Sequence, residues 1–526
     1  MADSHSTTLR GIDYKSTFPF VHLFKGFRLA MDPSKLVLAL ALLLIVYSSG
    51  CVMDAIWPDK HRAVANEVEA YAATDHPTDF GKFREERILA RDAAIKAELA
   101  RLGKPDDKPT YRSLVDAYKR QRDTLLKAAE ILPKQNAPEA LRRDTAIREV
   151  HASYARQVAA AKSLSSEGLF IHFLMFEVHT VDSIVINAVK LNGDGVAGVV
   201  EGLKDFFITA PAWAFKTHPV YFTLFFAWLL VLWSIFGGAL ARIASVQVAR
   251  DEKISLRQAL RFSTGKVLSF LFAPLIPAII IGFLGLVLAV ASILISVPGI
   301  SGIWSIVIGA AFILALLAGL VMMLTAVGLI GGGHLMYPTI ASEGSDSFDA
   351  VSRSFSYLYA RPWQLGFYAL VSIIYGAITF LVVRLALYIL LLMVHGAISL
   401  FQWGNAADGT PIIDAMWPRP TNFMTLSYDV NYAALGGVQA VGASLIAFWV
   451  YLAISLLGAY VISLYASSST LVYFLLRRDV DATELDEVYL ETDEDELNDA
   501  IATSDVTESA EPAGQPVDTP TPPPAS

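Results

Sequence analysis

Six apolar stretches, each near or above the roughly 20 residues that carry a helix across a bilayer, dominate this chain of 526 residues. They fall at 36–57, 219–240, 267–297, 302–330, 364–400 and 441–476. A sequence built this way, with 54 % of its residues hydrophobic, buries backbone polar groups only as helix. The expected class is therefore all-α, a polytopic helical membrane protein of about six transmembrane helices. Basic residues set the direction of each span. Arg10, Lys15, Lys25, Arg28 and Lys35 precede the first, Arg242, Arg250, Lys253, Arg257, Arg261 and Lys266 follow the second, and Arg477-Arg478 follow the last. Six crossings with both termini cytoplasmic satisfy the rule at every short loop.

The stretch 343–371 gives the plan on which the membrane part is organised. Asp346 or Ser347 can cap a helix, Asp349 and Arg353 stand one turn apart with the acid first, and Phe348, Val351, Phe355 and Leu358 form an apolar stripe. Arg361-Pro362-Trp363 then ends the helix before the apolar run begins. Residues 254–276 repeat the plan, with Ser255 and Gln258 as a capping box, and residues 20–44 repeat it with Asp32-Pro33 at the break. The reading is of three helical-hairpin modules, each preceded by a cytoplasmic amphipathic helix. Convergence on a common interfacial pattern is the alternative, since the copies share little identity.

Five regions result: a cytoplasmic segment with an amphipathic helix (1–35), a first transmembrane helix (36–57), an extracytoplasmic helical insertion (58–217), a five-helix transmembrane domain (218–478) and an acidic cytoplasmic tail (479–526). Within the insertion, 83–103, 111–132 and 138–164 are rich in strong helix formers and are interrupted at Lys104-Pro105 and Pro133–Pro138. Residues 169–190 and 196–215 are apolar but carry Glu177, His179, Asp182, Glu201, Lys204 and Asp205, so they are expected to lie on the outer interface or against the bundle rather than to span. The tail holds 15 acidic residues and no basic one, and ends in PTPPPAS, a composition that cannot bury a core.

Chemistry is sparse. Gly331-Gly332-Gly333 lacks the Lys-Ser/Thr of a phosphate loop, and no nucleophile elbow or paired-cysteine spacing occurs. Cys51 is the single cysteine and follows Ser48-Ser49-Gly50, where a lipidation box would need a large aliphatic residue. His172, His179 and Asp182 share a helical face, yet they make an incomplete zinc set. No catalytic, cofactor-binding or metal-binding residues are assigned, no cofactor is expected, and the chain is read as no enzyme. Pro274 and Pro277, with Gly282 and Gly285, mark the best place for a broken span that could build a transport site. Arg384, with Tyr388 and His395 near the same face, falls about 20 residues into its stretch, and snorkelling to the interface is the reading preferred over a buried functional charge.

The segment SFDAVSRSFSYLYARPW, after a glycine-rich span end and before a long apolar run, is similar to a pattern in uncharacterised bacterial multi-pass inner-membrane proteins. It also resembles the membrane domain fused to some glycerophosphodiester phosphodiesterases. The likeness covers about 215–478 and brings no catalytic residues, because the phosphodiesterase domain itself is absent. It implies a bacterial inner-membrane location. The functional expectation is a non-enzymatic envelope scaffold or accessory subunit, and the alternative is a transporter or permease component working through 218–478. The partners expected are the lipid bilayer and a protein bound through the insertion or the acidic tail. Self-association is open, and nucleic acid is not expected.

Overall fold

The structure is a computed structural model that describes residues 18–58, 61–73, 80–103, 110–132, 137–161, 164–190, 192–298, 301–406, 409–426, 428 and 430–489. Arg10, Lys15 and most of the acidic tail lie outside the described residues.

A short 3-10 helix, α1 (Pro19–Lys25), runs into α2 (Gly26–Ala30). Asp32 then caps the first long helix, α3 (Pro33–Ile56), by accepting from the Ser34 amide at 2.8 Å, with Pro33 at the first helical position where its missing N–H costs nothing. Two residues of strand, β1 (Ala63–Val64), pair antiparallel with β2 (Ser166–Glu167) and close off the segment between them within the insertion. Between them lie α4 (Glu67–Ala72), α5 (Phe80–Arg101), α6 (Tyr111–Glu130) and α7 (Ala137–Ala161). The last three fall within a few residues of the segments expected from propensity, and Ile95, Leu99, Leu114 and Tyr118 form their core. α8 (Leu169–Val189) and α9 (Gly193–Lys204) make a tight antiparallel hairpin. A Cβ on Gly202 would sit 2.5 Å from Ile184 and one on Gly198 2.5 Å from Asn187, so glycine sets how closely the two helices approach. A π-helical turn at Asp205–Thr209 joins α9 to α10 (Ala210–Thr217).

The rest is membrane-length helix: α11 (Pro219–Arg250), the short α12 (Leu256–Gly265), α13 (Val267–Ser296), α14 (Ser301–Ala310), α15 (Phe312–Glu343), α16 (Ser347–Ala360), α17 (Pro362–Ser399), the short α18 (Ile412–Met416) and α19 (Gly437–Asp481). Seven helices among the described residues are long and apolar enough to cross a membrane: α3, α8, α11, α13, α15, α17 and α19. That is one more than the six read from sequence. α8 meets the same measure because its few charged and polar groups interrupt an otherwise continuous apolar helix.

Long-range bonds fix the directions. Gln247 Nε2 donates to Asp32 at 2.6 Å where α11 ends and α3 starts, and Tyr221 Oη donates to Asp54 at 2.6 Å at their opposite ends. Lys35, fully buried, donates to Ser467 at 2.9 Å, so α19 also runs antiparallel to α3. One face of the bundle, here the basic end, gathers Arg242 on the Ala341 carbonyl (2.8 Å), Lys266 on the Gly344 carbonyl, and Arg353 and Arg477 on Glu343 (2.8 and 3.2 Å). The other is the insertion end.

Packing at the basic end follows a cyclic pattern. α11, α15 and α19 pack on one another, and each also carries a short helix: α12 on α11, α16 on α15, α2 on α19. In each short helix two small residues four apart are buried, Ala259/Ser263, Ala350/Ser354 and Gly26/Ala30, the spacing that lets helix backbones approach closely in membranes. Ser263 Oγ donates to the Ser234 and Ile235 carbonyls at 3.0 and 2.5 Å, and Ser463 Oγ donates to the Ala30 carbonyl at 2.8 Å. A Cβ on Gly332 would lie 3.1 Å from the Ser354 carbonyl oxygen. Toward the insertion end, by contrast, α13 and α15 carry a nearly continuous exposed apolar surface, as at Phe283, Leu286 and Ile313. α17 and α19, of 38 and 45 residues, are far longer than a bilayer core of about 30 Å requires.

Candidate functional site

The densest set of buried polar groups outside the basic end joins the insertion to the bundle. At its centre is Asp54, in the last turn of α3. Its Oδ1 accepts from Tyr221 Oη (2.6 Å) and the Phe170 amide (3.0 Å), and its Oδ2 accepts from the Ile171 amide (3.1 Å). The amides of a helix's first turn have no partner within that helix, and here a carboxylate from another helix, 116 positions earlier in sequence, satisfies two of them. The negative charge also suits the positive end of the α8 dipole. Close packing enforces the contact: a Cβ on Gly50 would stand 2.4 Å from the Phe170 ring, and one on Gly168 2.0 Å from Asp54 Oδ2.

Next to it, Glu67 at the start of α4 is 2 % exposed. It accepts from the Val64 amide at 2.8 Å, Arg84 Nε at 3.1 Å and His218 Nε2 at 3.3 Å. Burial opposes ionisation of Glu67, but the His218 and Val64 hydrogen bonds and the Arg84 charge outweigh it and hold the carboxyl below its ordinary range. His172 Nε2 accepts from the Glu67 and Val68 amides at 3.1 and 3.4 Å, so that nitrogen's lone pair is already engaged. The imidazoles of His172 and His218 flank Trp213, with ring centroids 6.0 and 5.3 Å away, inside an aromatic cluster that includes Tyr221, Phe222 and Phe225.

The residues singled out in the sequence separate in space. His172 belongs to this seam, His179 is exposed, and Asp182 bonds Arg384 instead, at 2.5 Å. The shared face therefore does not converge on a metal, and among the described residues no group of three or more His, Cys, Asp or Glu side chains is placed to hold one. Arg384 does not snorkel. It is 3 % exposed, bonded to Asp182 and to the carbonyls of Phe423 (2.8 Å) and Met424 (2.7 Å). The loop after α17 folds back to supply those carbonyls, which removes the need to reach water. Tyr388 meets the Phe423 ring, and His395 is buried against Asp414 (3.0 Å) and the Trp417 carbonyl (3.2 Å). Cys51 is half-buried beside the aromatic cluster. Pro274 lines a cavity and Pro277 is buried, while Gly282 faces open space and Gly285 lies near Met322.

Asp54, Glu67 and His218 were not singled out from sequence, and Lys35 only as one of the basic residues before the first span. The one available signal was a charged residue near the end of an apolar run, as at Lys35 and Asp54. Chemically, Asp54 is held by backbone amides and a phenol, and Glu67 by a backbone amide, Arg84 and His218, an arrangement that locks elements together. No protein-family model matches the chain, and neither a curated protein nor a solved structure is significantly similar to it.

Proposed function

We propose that the protein is a non-enzymatic membrane scaffold or accessory subunit, in which a bundle of three helical-hairpin modules holds an extracytoplasmic insertion rigidly above the bilayer. The observation that carries this reading is the seam: Asp54 and Glu67 use their charges to join the insertion, through α8 and α4, to α3 and the start of α11. Rigid mounting is what a scaffold requires, and structural ion-pair networks hold a carboxyl below its ordinary range as Glu67 is held here. The cyclic placement of α2, α12 and α16 on α19, α11 and α15 supports the three modules as repeats.

In this reading six helices cross and α8 lies along the outer interface. Its start bonds Asp54, in the last turn of α3, while Asp182 bonds Arg384, about 22 residues into α17. At 1.5 Å per residue both anchors stand a full bilayer above the basic end, so α8 runs sideways between them. The exposed apolar residues Val196, Val200, Phe207 and Ile208 of the returning arm would then rest on lipid. The basic end faces the cytoplasm by the positive-inside rule, and the inner membrane of a bacterium is the location that the resemblance implies.

The handle is the α5–α7 bundle, which exposes Leu89, Leu125, Ile131 and Leu141. Affinity purification from native membranes tests the reading. A stoichiometric protein partner that Leu89→Glu, Leu125→Glu and Leu141→Glu together release supports it. The same partners with and without the substitutions, or none, refutes it. A small molecule bound without a partner would instead favour the transporter reading.

A further inference from the structure

α11, α15 and α19 enclose a cavity of about 220 Å³ where they meet, with Pro274 of α13 at its edge. Its walls are Leu230, Trp233, Leu240, Ala466 and Pro338, and its polar groups are His334, Tyr337 and Ser469. Two features distinguish it from an ordinary packing defect. First, it holds the space of several waters at about 30 Å³ each, and most of its wall is apolar. Second, the Tyr337 hydroxyl is buried without a hydrogen-bond partner. Ser234 lies beside Tyr337 and donates its own proton to the Leu230 carbonyl at 2.8 Å, but the two hydroxyls do not meet in hydrogen-bond geometry. A buried phenol proton with no acceptor is costly and points to an acceptor oxygen supplied from outside the chain.

The cavity is reachable from lipid. Trp233 and Tyr465 face each other across α11 and α19 with ring centroids 6.1 Å apart, and Tyr465 is 48 % exposed. Above it, α13 and α15 present the exposed apolar surface already described. An occupant must therefore be aliphatic along most of its length and carry one oxygen acceptor. We propose that this junction binds the chain of a membrane amphiphile, whose carbonyl or hydroxyl oxygen accepts a hydrogen bond from Tyr337. A phospholipid acyl ester and an isoprenoid alcohol or quinone share that chemistry. The inference stands independently of the scaffold reading.

The full chain, purified in mild detergent and washed free of bulk lipid, is incubated with an equimolar mixture of dioleoylphosphatidylethanolamine, dioleoylphosphatidylglycerol and a ubiquinone. After rewashing, retained molecules are identified and counted per chain by mass spectrometry. Wild type is expected to keep about one equivalent, and the mass names the source. Gly333→Leu fills the cavity, because a Cβ there meets only Leu329, at 3.8 Å, and should abolish retention. Tyr337→Phe removes one oxygen without steric risk and should weaken retention about 2–10-fold, the range of one hydrogen bond. Retention by Gly333→Leu equal to wild type, no change with Tyr337→Phe, or nothing retained by wild type would each overturn the proposal.

Discussion

Replacing Asp54 by alanine should release the start of α8 from the bundle. The carboxylate accepts from Tyr221 and from the Phe170 and Ile171 amides. Phe170 is 3 % exposed and Tyr221 1 %, so water replaces few of these bonds. Losing a helix cap costs about 1 kcal/mol, and each donor stranded in a dry site about 1–3 kcal/mol. The variant should thus lose roughly 3–5 kcal/mol at this junction. The loss is local, so it is best read by hydrogen exchange, which reports opening of individual segments. Amides in 169–172 should exchange more than 100-fold faster, at tenfold per 1.4 kcal/mol, while those of α6 stay unchanged. Tyr221→Phe should cost about 1–2 kcal/mol alone and very little in the Asp54→Ala background. Exchange at 169–172 within twofold of wild type, or additive losses in the double variant, would refute the assignment of Asp54 as the cap of α8.

Other expectations rest on neighbouring contacts. Gly50→Ala drives a methyl group into the Phe170 ring, 2.4 Å away, and should destabilise by about 1–3 kcal/mol, seen as a lower thermal transition in detergent. Arg384→Met strands Asp182 in a site where the pair is 3 % and 9 % exposed, which costs about 3–5 kcal/mol. Adding Asp182→Leu should recover most of that, and a single variant as stable as wild type would contradict a paired buried charge. Glu67 has a folded pKa below the ordinary value of 4.5. Its stabilisation is complete above that value and is lost as the pH falls through the folded one. Exchange in α4 should therefore quicken on acidification below about pH 4.5, and Glu67→Gln should remove that dependence.

What the sequence made legible was local. The Ser255–Gln258 capping box forms in both directions, at 3.1 and 3.2 Å. Of the two candidate caps for α16, Asp346 does the capping, accepting from the Asp349 amide at 2.9 Å. Asp349 and Arg353 pair as their spacing requires, at 3.0 Å, and the helix breaks at Arg361. Each of these depends on residues within four positions, where helical geometry decides who meets whom. Arg384 and Asp182 are 202 positions apart, and Asp54 and Tyr221 167. No periodicity encodes such pairs, so Arg384 reads as snorkelling and Asp182 as part of a solvated or hydrogen-bonded polar face. α8 matches the helix expected over 169–190, but only partners from α4 and α17 show where His172 and Asp182 go.

The two ends of the bundle are held by different physics, and the difference follows from what each end can exclude. At the basic end, buried alanine, serine and glycine let backbones approach until hydroxyls reach carbonyls of the neighbouring helix, as Ser263 and Ser463 do. Such contacts need no charge and gain from dispersion and interhelical hydrogen bonds, the forces that remain when lipid is as apolar as the side chains. At the insertion end, bulky residues such as Trp213, Tyr221 and Phe222 are buried together, as the hydrophobic effect favours. There the Asp54 carboxylate caps α8, as Asp32 caps α3 at the basic end. Between the two lies the apolar surface of α13 and α15, covered by neither protein packing nor insertion. Its residues are stable only against hydrocarbon, so a bilayer completes this part of the fold. The three-helix cavity, at the root of that hairpin, sits where protein packing gives way to lipid.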